Sequence, residues 1–331
     1  MSTDAATGGS GKVEGRMGLA HLSLTGGVMG PLLGLILLCI GFSLASEYFL
    51  SVRNALNILD QVTVLGILAI GMTLVIIIGG IDLSVGSVLA LSMMMMGWLE
   101  QTAGVPLPLA MLLGVLTGAA GGLVSGCLIT FAKLPAFIAT LAVMSIARGL
   151  ANILTDGRQI VGYAEWFTDL ATVRHFGFFS VTVTLFIVLM IVAGIFLRYR
   201  ATGRNLFAIG GNPEVARLAG IDVRRYTILT YVTAGALAGV AAVTLAARLN
   251  SSQPSAGLGI ELDTIAAVVI GGASLVGGVG SIAGTLIGVL IIGVLRNGLN
   301  LVGVSPFFQM VVIGSVIALA VTFDTMSRDR K

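Results

Sequence analysis

Charge is scarce in this chain: Asp, Glu, Lys and Arg make up 10% of its 331 residues, against the roughly one-quarter usual in soluble domains. Histidine and cysteine are scarcer still, two of each. His21 and His175 have no second histidine or spaced carboxylates near them, which argues against a membrane enzyme built on a metal or on acid–base chemistry. Cys39 and Cys127 both lie in apolar tracts, so they read as small buried residues rather than a disulfide or metal pair. A nucleotide-binding lysine loop is missing as well. In "TGGSGKVEG", Ala6 stands where that loop needs its first glycine and Val13 where it needs Ser or Thr. Nothing in the net charge of +3 implies a nucleic-acid partner.

What is abundant is apolar. Hydrophobic residues are 56% of the chain, and a hydrocarbon core of about 30 Å needs roughly 20 such residues per helix, with every backbone group satisfied inside the helix. Apolar runs between polar breaks predict helices at about 28–45, 59–78, 83–99, 109–130, 135–153, 179–197, 227–247, 262–280, 283–301 and 307–323. The expected fold is all-α, a polytopic bundle of about ten transmembrane helices over residues 28–324. Residues 1–27, rich in Ser, Thr, Gly and Ala, read as a mobile cytoplasmic tail, and 325–331 as a second one. The breaks near Gly80 and Gly280 leave open interrupted or re-entrant helices.

Sidedness follows from arginine. The loop 198–226 carries Arg198, Arg200, Arg204, Arg217, Arg224 and Arg225 against only Glu214 and Asp222, which makes it cytoplasmic. Counting spans from there puts Lys133, the "SRDRK" ending and both termini inside. The loop with Asp156, Arg158, Glu165, Asp169 and Arg174 falls outside.

Within the arginine-rich loop 198–226, "GGNPEVARLAGI" is written in helix punctuation. Gly211 precedes Asn212, which can cap; Pro213 suits the first helical position, and Glu214 favours the positive end of the helix dipole. Gly220 can close the last turn in a left-handed conformation. Val215, Leu218 and Ala219 share one face while Arg217 projects elsewhere, and a two-turn helix is marginal alone in water. That face should dock, either on the protein's own helix ends or on a cytoplasmic partner.

A second group of candidates concerns a path through the membrane. Asp82, in "GGIDLSVGS", is the only charge between Val62 and Trp98. Gly79 and Gly80 disfavour helix continuation there, Asp82 can cap a helix starting at Leu83, and Ser84 offers another hydroxyl. A structural cap near the cytoplasmic membrane edge and a gating role at the midplane both stay open. The segment 248–263, with Ser251, Gln253, Glu261 and Asp263, is expected as an outside loop, either simply wet or forming an external gate. Arg148, inside an apolar run, needs a partner or a place near the span's end. Glycine, 46 residues, reads mainly as close helix packing. A faint similarity links Gly79–Leu83 and Gly86 with Gly271–Leu275 and Gly278, as transporter repeats would.

From about Phe49 to Asp324 the chain resembles the ribose-type permease subunits of bacterial ABC sugar importers. The resemblance is carried by "NALNILDQ", "GMTLVIIIGGIDLSVGSVLAL", "PAFIATLAVMSIARGL", "GRNLFAIGGNPEVARLAGIDV", the long stretch from Ser251 to Gln309, and "ALAVTFD". It implies a multi-pass protein of the bacterial inner membrane that is not itself an enzyme. It implies a second permease copy, identical or paralogous, a cytoplasmic ATPase that holds ATP and Mg, and a periplasmic binding protein that delivers a monosaccharide. By the same resemblance, Asn212 to Gly220 matches the helix that fits a groove in the ATPase. The N-terminal tail and the loop 156–178 have no counterpart in the family pattern. A self-sufficient carrier or channel for a small polar solute is the alternative, and ribose, xylose, other pentoses or hexoses and inositol-like polyols all remain open as cargo.

Overall fold

The computed structural model describes residues 23–175 and 177–328, so the expected tail lies outside the described residues up to residue 22. Thirteen helices follow one another among the described residues. The first five are α1 (Ser23–Ala45), α2 (Val52–Ile77), α3 (Val85–Gln101), α4 (Leu107–Thr130) and α5 (Ala136–Ile153). A two-residue strand β1 (Ile160–Val161) and α6 (Glu165–Thr172) lead to α7 (Val181–Tyr199), α8 (Ala201–Gly211), α9 (Pro213–Leu218) and α10 (Val223–Leu249). Then come β2 (Ser251–Ser252), α11 (Ile260–Ile270), α12 (Ile282–Leu301) and α13 (Pro306–Arg328).

Among the described residues seven helices are long and apolar enough to cross a membrane: Val28–Ala45 within α1, then α2, α4, α5, α7, α10 and α12. The expected count of ten is therefore met only in part. The clearest correction falls on 262–280, where the helix stops at Ile270 and 271–281 is a loop. With 11 residues, α11 is about 16 Å long, half a membrane. Helix α1 already runs from Ser23 and α13 continues to Arg328, where tails were expected on both sides.

Helix α2 is the centre of the bundle, with Ile67, Ala69, Met72, Val75, Ile76 and Ile77 fully enclosed. Polar pairs fix it against α12. Asn54 and Asn297 exchange amide hydrogen bonds of 3.0 and 2.9 Å, and the hydroxyls of Thr73 and Thr285 lie 2.7 Å apart. In a medium as apolar as leucine, such pairs and close backbone contact hold helices together where the hydrophobic effect does not.

Helix α4 illustrates the second device. Its buried residues include Gly114, Gly118, Gly122 and Gly126, one per turn; Gly118, Gly122 and Gly126 meet Gly235, Tyr231 and Ile228 of α10 so closely that added Cβ atoms would collide with backbone, while Gly114 faces Ser92 of α3. Leu109, Leu112, Leu116 and Leu123 point outward. Cys39 and Cys127 are both free.

Candidate functional site

Two helices stop at the arginine-rich end by the same device. After α2, Gly79 turns left-handed at φ +82° and the Gly80 N–H reaches back to the Val75 carbonyl at 2.9 Å. After α11, Gly272 does so at φ +90° and the Ala273 N–H bonds the Val268 carbonyl at 3.2 Å. Each is a glycine closure that satisfies carbonyls left over at a helix end. The two loops then touch, with the Gly278 N–H donating to the Ile77 carbonyl at 2.8 Å.

A third backbone enters this junction. Gly210, in the last turn of α8, lies so close that a Cβ there would overlap the Ile77 carbonyl and the Gly278 nitrogen. A Cβ on Gly277 would strike the Gly210 carbonyl and Gly79. Three chain segments distant in sequence meet with almost no side chain between them.

Asp82 follows this junction and is 2% exposed. Its Oδ1 accepts the Ser84 N–H at 2.8 Å and the Ser84 hydroxyl at 2.6 Å. This corrects the expected cap at Leu83: α3 begins at Val85 with Ser84 as the capping residue, and Asp82 braces the turn before it. The carboxylate faces protein, and the buried Ser84 turns with it. Around it, the Thr140 hydroxyl donates to the Ile81 carbonyl, and the buried Tyr231 hydroxyl abuts Gly80 and makes no hydrogen bond among the described residues.

Helix α9 hangs from the same junction. Asn212 Oδ1 accepts from the N–H groups of Glu214 and Val215 at 2.9 and 3.1 Å, and Pro213 fills the first helical position. Gly220 takes φ +83°, and the Ile221 N–H returns to the Ala216 carbonyl. Six residues make this shorter than the expected two turns. Only Ala216 is buried; Val215, Leu218 and Ala219 are exposed, Leu218 by 89%, while Arg217 and Glu214 pair across the surface at 2.8 Å. Gly211, beside the junction, is exposed.

At the opposite end, the segment 250–259 departs from the simple outside loop, wet or gating, expected of it. Asn250 adopts φ +49° and turns the chain back, and β2 pairs antiparallel with β1, Ile160 with Ser252 and Val161 with Ser251. Ser251 and Ser252 are buried, and Gln253 is half-buried with its amide on the Ser251 hydroxyl. The Ser252 hydroxyl donates to the Met93 carbonyl at 2.7 Å and sits 2.6 Å from the Tyr163 hydroxyl, whose pKa burial pushes up to about 12. From there the chain follows α3 down to Gly86, which meets Gly257 and the Glu261 carboxylate. Eleven residues of α3 separate Gly97, beside Ser252, from Gly86, a descent of about 16 Å. Arg148 holds this re-entrant segment by donating to the carbonyls of Pro254 and Ala256.

The residues expected on a path thus fall into two groups, Gly79–Ser84 and Ser251–Asp263, which adjoin at Gly86. The junction of Gly210, Gly277 and Gly278, and the places of Tyr163 and Tyr231, are not legible in the sequence. A run of paired glycines was the available signal, but it has the same appearance as helix packing. Asp263, the last of the candidates, pairs with Arg296 of α12 at 2.6 Å. Among the described residues no group of three His, Cys, Asp or Glu could hold a metal ion.

A protein-family profile described as "Branched-chain amino acid transport system / permease component" matches residues 54–321. The chain belongs to this permease family. The permease is 46% identical over 297 residues to a ribose import permease protein of Bacillus subtilis (strain 168), covering 89% of this chain and 92% of the relative. A ribose import permease protein of Escherichia coli (strain K12) is 43% identical over 304 residues, 88% of this chain and 92% of the relative. A D-allose transport system permease protein of the same strain is 38% identical over 291 residues, 88% of this chain and 89% of the relative. No solved structure matches the permease. The family and the apolar helices make it a multi-pass protein of the inner membrane, a permease subunit rather than an enzyme.

Proposed function

We propose that this permease carries a monosaccharide of the ribose type across the inner membrane as one of a pair of permease subunits, driven by ATP hydrolysis on a separate cytoplasmic ATPase. The arginine-rich end, with α8 and α9, is the cytoplasmic end, by the positive-inside tendency, and both termini lie on that side. A periplasmic binding protein delivers the sugar at the other end. ATP and Mg belong to the ATPase.

The observation that carries this reading is α9: a six-residue helix with Val215 and Leu218 exposed, attached at Gly210 to the loops that end α2 and α11. Too short to be stable alone, it presents an apolar face for the ATPase. A displacement of α9 reaches both interrupted helices through backbone contact, with no flexible side chain to absorb it. The relatives named for ribose and allose, similar over nearly the whole chain, favour sugar as cargo over the amino acids in the family's description.

The test is uptake by the full importer in proteoliposomes, with permease, ATPase and binding protein together, of D-ribose, D-allose and L-leucine. ATP-dependent uptake of a sugar and not of leucine is expected. Val215→Asp with Leu218→Asp should leave the permease inserted but abolish co-purification of the ATPase; normal co-purification would remove α9 as the contact.

A further inference from the structure

We propose that the groove between α11, α12 and α13 is a binding site for a neutral polyhydroxyl solute, with Asp263, Arg296, Asn300 and Gln309 as its hydrogen-bonding wall. The assignment rests on the reading of the permease as a monosaccharide importer.

The first observation is that a membrane-spanning helix carries a polar stripe on its open side. The exposed residues of α12 are Ala283, Arg296, Asn300 and Leu301, and Arg296 and Asn300 stand one above the other at i and i+4. The Arg296 side chain is 47% exposed although it pairs with Asp263, itself 13% exposed. Lipid is a poor solvent for a guanidinium and an amide on one face. Such groups within spans face a water-filled cavity or the interior of the bundle.

The second observation is the cavity. It measures about 640 Å³ and is lined by Asp263, Arg296, Asn300 and Gln309, with Leu262 and Met310 as apolar wall. Small-molecule sites span roughly 300–1,000 Å³. A smaller cavity of about 160 Å³, beside Gln61 and Arg248, shares Asp263 and Arg296 with it. The ion pair at 2.6 Å is therefore the partition between the two spaces.

The third is the balance of the lining. Asp263 and Arg296 neutralise one another, so an ion of either sign gains little. Gln309, 5% exposed, is locked by its amide nitrogen to Asn300 Oδ1 at 2.7 Å and to the Val304 carbonyl at 2.9 Å. That leaves Asp263 Oδ1, Asn300 Nδ2 and Gln309 Oε1 without a hydrogen bond among the described residues. Two acceptors and a donor, held by three different helices and carrying no net charge, match the vicinal hydroxyls of a sugar, each both donor and acceptor. Leu262 and Met310 can take its C–H face.

The experiment uses the full importer in proteoliposomes, with Cys39→Ser and Cys127→Ser removing the native thiols. Asn300→Cys is exposed to a membrane-impermeant thiol reagent, with and without D-ribose, L-arabinose or D-allose at tens of millimolar. Ile191→Cys, exposed on the apolar helix α7 and outside the groove, is the control. Expected is labelling at Asn300→Cys alone, slowed severalfold by at least one sugar. Absence of labelling, or labelling that no sugar slows, overturns the groove while sugar uptake by the wild-type importer still stands. Failure of the wild-type importer to take up any monosaccharide overturns the functional reading, and the groove's ligand with it. Should the cysteine-free chain fail to insert, Asn300→Ala in the natural chain decides: the relative uptake rates of the three sugars should shift severalfold with ATP hydrolysis retained, and unchanged ratios overturn the assignment.

Discussion

The breaks after α2 and after α11 are written with nearly the same residues, Gly79-Gly80-Ile81-Asp82-Leu83 and Gly271-Gly272-Ala273-Ser274-Leu275, yet they lead to different structures. In both, the side-chain oxygen of the fourth residue accepts the N–H two positions on: Asp82 from Ser84 at 2.8 Å, Ser274 from Val276 at 3.2 Å. After Asp82 a helix starts almost at once. After Ser274 the chain loops on through left-handed Gly277 and Gly278 until Ser281 caps α12, its hydroxyl accepting the Gly284 N–H at 3.0 Å. The first break is sealed, with Asp82 and Ser84 buried; the second also buries Ser274 but leaves Val276 81% exposed and offers its glycine backbones to Gly210. A local turn signal thus ends a helix, and the neighbours decide what the turn is used for.

The sharpest way to break this comparison is at the point where both loops meet. Gly210→Ala should abolish uptake, because the added methyl overlaps backbone at Ile77 and Gly278, which cannot rotate away. Gly211→Ala, where a Cβ meets open space, should transport like wild type. Uptake alongside membrane abundance measures both, and equal activity would remove the junction from the coupling route.

A smaller effect is expected at the sealed break. Asp82→Leu leaves the buried Ser84 N–H and hydroxyl without their acceptor, a loss of about 1–3 kcal/mol. Membrane abundance should fall. Asp82→Asn keeps a carbonyl oxygen in place and should insert and transport almost normally; an Asn variant that assembles with the ATPase but cannot transport would make the charge itself part of gating. At the open break the cost is least. Ser274→Ala removes a buried hydroxyl but frees the N–H of the largely exposed Val276, which water can satisfy, so a smaller loss than for Asp82→Leu is expected. Thermal unfolding in detergent checks the order, and it fails if Ser274→Ala costs more than Asp82→Leu.

Local chemistry made some of this molecule legible in advance. Asn212, Pro213 and Gly220 mark α9 because caps and left-handed closures depend on residues within a few positions of one another. Arginine density marks one end of the bundle for the same reason. The re-entrant descent of 250–259 was not readable, since its serines look like those of any wet loop and are buried only through β1, Tyr163 and the Met93 carbonyl. Neither was the Asp263–Arg296 partition, whose members are 33 positions apart on different helices.

Composition and spacing alone therefore determined that the chain is a bundle of membrane helices, where most of them run, and that a short capped helix lies in the arginine-rich loop. The length of α11, the meeting of Gly79, Gly210 and Gly277, and the polar face of α12 were decided by tertiary structure. The reason is physical. An apolar run has no preferred face in lipid, and residues 271–281 carry no charge that would mark how far the helix before them runs. Leaving the helix inside a membrane requires other partners for the freed N–H and C=O groups. Here the Ile77 carbonyl supplies one, from a segment about 200 residues away in sequence.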